Sequence, residues 1–215
     1  MYFLDLLGTF AFAVTGAYKA KGRELNVFGV IILGVITAVG GGTFRDLMIG
    51  RTPLFYLKDP NYFLVGILAG LLIYVMPTFF KRTYSFFRFI DSVGLAVFVI
   101  IGASVTSAFL FEGQTGITVI SFLVCTFGGM ISGFGGGVIR DAIMGDEPFA
   151  LKKGSNYIFC AFLGSASFYV ISFVNINLAV SISMILTLYF REITSKFGIY
   201  QRVILNNVKS EIIND

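Results

Sequence analysis

One segment of this 215-residue chain occurs twice, and that recurrence limits the possible architecture more than any other feature. Val39–Pro53 reads VGGGTFRDLMIGRTP and Phe134–Pro148 reads FGGGVIRDAIMGDEP. Gly40, Gly41, Gly42, Arg45, Asp46, Gly50 and Pro53 return 95 positions later as Gly135, Gly136, Gly137, Arg140, Asp141, Gly145 and Pro148. The same register carries Asn61-Tyr62 onto Asn156-Tyr157. Upstream, LDLLGTFAFAVTGA aligns with IDSVGLAVFVIIGA at a spacing of 86, so Asp5, Gly8, Phe12 and Gly16 fall on Asp91, Gly94, Phe98 and Gly102. The chain is an internal duplication whose second copy has a longer connection around Glu112–Gly116.

The medium follows from the shortage of charge. Only 13% of residues are charged and 56% are hydrophobic, whereas a soluble domain carries about 25% charge to solvate its surface. An ordinary soluble enzyme, a disordered chain and a nucleic-acid binder are excluded, and a polytopic all-α membrane protein remains. A spanning helix needs about 20 mostly apolar residues. The charge-poor stretches supply spans at Met1–Tyr18, Leu25–Phe44, Asn61–Phe80, Ser92–Phe111 and Gly113–Ile139. Gly154–Phe190 is too long for one helix and divides at Asn175 and Asn177 into a sixth and a seventh span. The chain divides accordingly into a three-span repeat (1–80), a second three-span repeat (86–174), a seventh span (176–195) and a cytoplasmic tail (196–215), which reads as a surface helix or a frayed end. No removable N-terminal signal is evident, so the first span is expected to stay.

Three spans per copy is an odd number, so the second copy enters the bilayer from the opposite side. This predicts an inverted-topology repeat, a plan that places ion or substrate sites at the repeat interface near the midplane. The net charge of +4 fits cations kept in cytoplasmic loops. With the N-terminus outside and the C-terminus inside, 13 Lys and Arg fall on the inner face and three on the outer. Lys81-Arg82 and Lys152-Lys153 then read as inner-face anchors that can touch anionic lipid.

The glycine triplets allow two readings. Each glycine costs a helix about 1 kcal/mol relative to alanine, and unwound backbone inside a membrane survives only beside protein or water. Spans 2 and 5 broken at Gly40–Gly42 and Gly135–Gly137 would free carbonyls around Ile36–Val39 and Met130–Phe134, which together with the negative helix ends attract a cation. Alternatively the glycines let two helices approach closely. Arg45-Asp46 and Arg140-Asp141 are sequence neighbours, whose side chains leave a helix about 100° apart. Their charges are costly in lipid, and the expectation is that Arg of one repeat meets Asp of the other, or Asp5 or Asp91, across the pseudo-axis. Such a network either gates a pathway or ties the repeats together.

Smaller features have narrower readings. Thr43 with Asp46 fits a helix N-cap box, but Val138 replaces the threonine in the second copy. Asp5 and Asp91 begin their spans, either at the solvated interface or lining a vestibule. Gly66–Gly70 is a GxxxG pattern echoed by Ala161 and Ser165, and predicts helix packing. The abundant phenylalanine reads as lipid-facing bulk. The chain has no histidine, and Cys125 and Cys160 stand singly in apolar runs, where small packing residues are expected rather than a disulfide or a metal site. No cofactor and no metal site are expected, and no nucleophile–base pair points to an enzyme.

Two three-span repeats, a seventh helix, and GGGTFRD and GGGVIRD on the second and fifth spans resemble the prokaryotic branch of the trimeric intracellular cation (TRIC) channels. The resemblance covers nearly the whole chain up to about Phe190. It implies a homotrimer in a prokaryotic plasma membrane, a pore within each protomer, helices kinked at the glycines, and permeation by potassium and sodium. It assigns the ion pathway to Gly40, Gly41, Gly42, Thr43, Gly135, Gly136 and Gly137, and a gate or charge network to Arg45, Asp46, Arg140, Asp141, Asp5 and Asp91. Animal members bind phosphoinositide through basic residues after the glycine motifs, and no equivalent cluster is evident in this chain. Some bacterial members are proposed to move glycine. Two functions therefore stand: a passive cation channel whose other lining is Thr15, Thr37, Thr43, Thr126 and Ser132, or a secondary transporter for a small zwitterion whose carboxylate meets Arg45 or Arg140.

Overall fold

The computed structural model describes residues 1–76 and 84–213, with side chains described for 1–76 and 86–194. The described residues form helices α1 (Tyr2–Gly22), α2 (Val27–Met48), α3 (Phe55–Lys58), α4 (Asn61–Val75), α5 (Tyr84–Leu110), α6 (Val119–Ile143), α7 (Tyr157–Ser172) and α8 (Ile176–Ile213), with a 3₁₀ turn at Phe149–Leu151. Among the described residues, four helical stretches are long and apolar enough to cross a membrane: Val27–Met48, Phe86–Leu110, Val119–Ile143 and Ile176–Thr194. Helix α1 is 21 residues long, and α4 and α7 are shorter apolar helices. The chain is an all-helical membrane protein. The Lys81-Arg82 anchor lies outside the described residues.

Local chemistry sets the boundaries. Asn26 caps α2 by accepting from the Gly29 amide, and Thr118 with Ser121 forms a reciprocal capping box at α6. The expected division of the last apolar stretch is present: α7 stops at Ser172, and the Asn175 side chain accepts from the Asn177 and Leu178 amides to start α8. Helix α8 then continues without a break to Ile213, through the boundary expected between span and tail. Helix α5 begins at Tyr84, so Asp91 sits inside a helix rather than at its start. The Thr43–Asp46 cap is absent, because Thr43 lies in mid-helix and its hydroxyl donates to the Val39 carbonyl at 2.8 Å.

The expectation of broken second and fifth spans is overturned. Gly40–Gly42 lie within the continuous helix α2 and Gly135–Gly137 within the continuous helix α6. The reason is contact between the two helices. A Cβ at Gly41 would run into the Ser132 carbonyl oxygen and lie 3.1 Å from the Gly136 amide nitrogen, and a Cβ at Gly136 would run into the Thr37 carbonyl oxygen. The close-packing reading of the triplets is the one observed, and the saving in interhelical distance offsets their poor helix propensity. Of the carbonyls expected to be free, those of Thr37 and Ser132 lie against the glycines of the opposite helix.

The contacts are reciprocal in the register of the duplication. Thr37 and Ser132 are matched positions, as are Gly41 and Gly136. Likewise Gly16 abuts the Thr37 side chain while Gly102 abuts that of Ser132. Phe12 and Phe98, matched positions at a spacing of 86, pack against each other with ring centroids 5.1 Å apart and ring planes tilted by 55°. Both are buried, as are Phe87 and Phe168, so the phenylalanines are not all lipid-facing. The GxxxG expectation also holds: Gly70 packs on the Ile31 backbone of α2, and its match Ser165 donates to the carbonyl of Thr126, the match of Ile31, at 2.9 Å.

The interior is inverted relative to a soluble protein. Thr9, Thr37, Ser92, Thr106, Thr126, Ser132, Ser165 and Thr187 are buried. Most of their hydroxyls donate to a carbonyl one turn earlier in their own helix, as Thr37 does to Leu33 at 2.6 Å and Ser132 to Gly128 at 2.9 Å. Large apolar side chains such as Phe28, Leu68, Ile120 and Ile185 point outward. Cys125 and Cys160 are free thiols, both buried.

Candidate functional site

Each glycine triplet is followed, one turn later, by a charged cluster at the C-terminal end of its helix. Such an end is unfavourable for a carboxylate and favourable for a cation, so each aspartate needs compensation. Arg45 Nη2 lies 2.7 Å from Asp46 Oδ1, and Arg140 Nε donates to Asp141 Oδ1 at 2.8 Å. The neighbours therefore pair with each other, and neither Arg meets the motif Asp of the other repeat; of the two alternatives expected, Asp91 is met, by Arg140, and Asp5 is not bonded to Arg45. The long arginine stem bridges the 100° between adjacent helix positions.

Around Arg45 the partners come mostly from the first repeat. Arg51 Nη1 donates to Asp46 Oδ2 at 3.0 Å, closing the second carboxylate oxygen. Arg45 Nη1 reaches across to Ser132 Oγ on α6 at 3.1 Å. Asp46 is 0% exposed and Arg45 3%. Asp5 lies in the same neighbourhood, and its carboxylate accepts from the Tyr62 hydroxyl at 2.7 Å. No direct Asp5–Arg45 bond forms.

Around Arg140 the second repeat is not self-sufficient. Position 146, the match of Arg51, is an aspartate, so the second cation must come from elsewhere. Lys19 at the end of α1 supplies it, lying 2.8 Å from Asp141 Oδ1 and 2.7 Å from Asp146 Oδ2. Arg23 Nη2 pairs with Asp146 Oδ1 at 2.5 Å. The remaining Asp141 oxygen accepts from the Phe149 amide at 2.8 Å. Arg140 Nη1 also lies 3.4 Å from Asp91 Oδ1 and 3.2 Å from Thr15 Oγ1. The only carboxylate pairs among the described residues that join the two repeats here are those of Lys19 and Arg23, and sequence reasoning missed both. The signal was present as the reversal of charge between Arg51 and Asp146. Asp146 stands in the loop after α6, and the Lys19 ammonium bonded to it holds its carboxyl below the usual carboxylate range.

The two clusters occupy opposite ends of the molecule. Asp5 and Lys19 are fourteen residues apart on α1, roughly 21 Å of helix, with the triplet contact between them. Cavities adjoin both. One of about 560 Å³ is bordered by Arg45, Met48, Leu123, Phe127 and Ile131, with walls that are mainly apolar. Another of about 270 Å³ is lined by Thr15, Lys19, Asp91, Arg140 and Asp141, among others. Of the residues expected in the site, Asp91, Arg140 and Asp141 thus meet at one cavity, while Arg45 borders the other. Gly40, Gly41, Gly135 and Gly136 lie in the buried contact between α2 and α6, Gly42 is buried against the Phe55 ring, and Thr43 and Gly137 are half-buried. No group of His, Cys, Asp and Glu suited to a metal ion occurs among the described residues.

This arrangement has known relatives. Residues 2–78 and 88–172 match the family described as glycine transporter. The chain belongs to that family. Among curated relatives, it is 36% identical over 195 residues to the inner membrane protein YadS of Escherichia coli K12, covering 89% of each chain. It is 35% identical over 176 residues to a membrane protein of Deinococcus radiodurans, covering 80% of this chain and 76% of the relative. Among solved structures, the TRIC orthologue from Rhodobacter sphaeroides superposes with a TM-score of 0.81 at 31% identity, over 92% of this chain and 97% of that one. A TRIC cation channel studied for its conductance superposes with a TM-score of 0.79 at 28% identity, over 92% and 93%. The family member therefore carries the TRIC fold expected from its doubled motif, and this homology points to a channel rather than an enzyme.

Proposed function

We propose that the protein is a passive channel for monovalent cations, potassium and also sodium, with one pathway inside each protomer of a homotrimer. The observation that carries this reading is the superposition on TRIC cation channels over more than nine-tenths of the chain. In this reading the chain crosses a prokaryotic plasma membrane seven times, with the N-terminus outside and the C-terminus cytoplasmic. The two three-helix repeats run in opposite senses, which accords with reciprocal contacts and with clusters at opposite ends of α1.

The pathway follows the α2–α6 seam from the cavity beside Arg45 to the cavity beside Arg140. The packed triplets, Gly40–Gly42 and Gly135–Gly137, form its constriction in a closed state, and Thr43 stands beside it. Opening requires α2 and α6 to separate at these glycines, which exposes the Thr37 and Ser132 carbonyls to an ion. The Arg–Asp clusters, with Asp5 and Asp91, act as the gate network because they hold the ends of the two helices that must move. Surrounding lipid completes the assembly.

A second reading has its own support. The family match carries the description glycine transporter, and an arginine beside a cavity suits the carboxylate of a zwitterion. Proteoliposomes separate the two. Potassium-loaded vesicles containing the protein should lose potassium down its gradient without any added amino acid. Saturable glycine uptake with no potassium leak would establish the transporter instead.

A further inference from the structure

The charges around the 270 Å³ cavity do not all find partners. Lys19 is paired with Asp141 and Asp146, and Arg140 with Asp141 and Asp91. Arg88 Nη2 lies 3.3 Å from Glu192 Oε2. Arg191, on α8, has no carboxylate among the described residues. It is only 2% exposed and is among the largest fully buried side chains. Its Nε and Nη1 atoms are buried without a hydrogen-bond partner, and so is Arg88 Nε.

Arg191 is held in place rather than left over. Its guanidinium lies over the Tyr157 ring at 4.7 Å and the Phe149 ring at 5.5 Å. Ring faces satisfy the plane of the cation, but its N–H groups radiate in that plane and still require acceptors. A buried guanidinium with open donors is expensive, and Arg191 lines the cavity together with Arg88 and Arg140. One unmatched positive charge calls for one negative charge.

We propose that this cavity binds a small monoanionic oxyanion, a carboxylate or a phosphodiester, with Arg191 as the principal receptor and Arg88 as the second donor. The volume suits a group of a few heavy atoms. Asp91 and Asp141 at the wall disfavour a multiply charged anion. A bound anion cancels the charge that would otherwise face a cation at this end of the pathway. The site goes beyond the proposed function, since Arg191 lies outside both the duplicated segments and the stretch matched to the family.

The test is thermal stabilisation of the delipidated full-length protein in neutral detergent, at constant ionic strength. One arm adds sodium acetate against sodium chloride, and the other adds short-chain phosphatidylglycerol. Stabilisation in the first arm identifies a free carboxylate as the ligand, and in the second alone a lipid phosphodiester. In either case Arg191→Gln should weaken apparent affinity by about tenfold or more, Arg191→Lys less, and Lys58→Gln, at an exposed lysine away from the cavity, not at all. If Arg191→Gln does not fold, crystals of the unaltered protein grown with bromoacetate, or with a brominated phosphatidylglycerol where lipid alone stabilises, should show an anomalous bromine peak in the cavity. No stabilisation in either arm, undiminished binding by a folded Arg191→Gln protein, or no bromine peak would each overturn the proposal.

Discussion

The two Arg–Asp clusters descend from one motif, yet they solve the same electrostatic problem differently. In the first, Asp46 is closed by Arg45 and Arg51 from its own repeat, and both oxygens are used. In the second, the position matching Arg51 is Asp146, which adds a carboxylate where a cation is needed. Lys19 and Arg23 answer from the other repeat. One charge reversal thereby converts a local cluster into a strap between the repeats. A duplicated motif can keep its Arg-Asp pair while the surrounding side chains divide the roles.

The largest effect that separates the clusters should come from the aspartates. Asp46→Ala leaves the buried Arg45 with Ser132 Oγ as its remaining partner, and loss of one partner of a buried pair costs about 3–5 kcal/mol. Asp141→Ala should cost roughly half as much, because Arg140 keeps Asp91 and Lys19 keeps Asp146. Thermal melts of the two variants check this, and equal losses would break the contrast.

Next come the positions where symmetry should hold. Gly41→Ala and Gly136→Ala each press a methyl group onto a backbone carbonyl of the opposite helix. Each should cost about 1–3 kcal/mol and reduce flux in proteoliposomes, by similar amounts in the two variants. A neutral result at either glycine would remove the constriction from the account.

The charge reversal itself can be rewritten. Asp146→Arg should destabilise slightly, by less than either aspartate deletion above, since the introduced arginine faces Lys19 and Arg23. Adding Lys19→Met should recover most of that loss, because the introduced arginine can then close Asp141 as Arg51 closes Asp46. Chemical denaturation in matched detergent measures both steps, and failure of the second change to rescue the first would contradict the proposed equivalence.

The smallest effect is acid dependence of the strap. The Asp146 carboxyl is held below its usual range by Lys19. Its contribution is therefore present above the unfolded value of about 3.9 and lost only as pH falls through the lower folded one. Melting temperature should thus show no strap-dependent drop between pH 6 and roughly 4.5. An Asp146→Asn protein should differ from the unaltered one by a constant offset across that window.

Much of the fold was legible because its signals are periodic or repeated. Charge-free runs located the long helices and Asn175 marked the α7–α8 junction, but the register of the duplication did not say which of its positions touch. The triplets were misjudged because propensity is a property of one helix, whereas Gly41 and Gly136 answer to the facing backbone. The pairing of Arg45 with Asp46 was missed because a helical-wheel argument fixes the Cα–Cβ directions and ignores the reach of an arginine stem. Arg191 gave no sequence signal: a single cation after an apolar run looks like an interfacial anchor, and only three-dimensional packing buries it beneath Tyr157.

Planar-bilayer recording of the purified protein in symmetrical potassium chloride tests the central claim most directly. Discrete unitary currents, unaffected by millimolar glycine and lost in Gly41→Leu, are the predicted result. A silent bilayer from a protein that nonetheless accumulates glycine saturably in liposomes would contradict it.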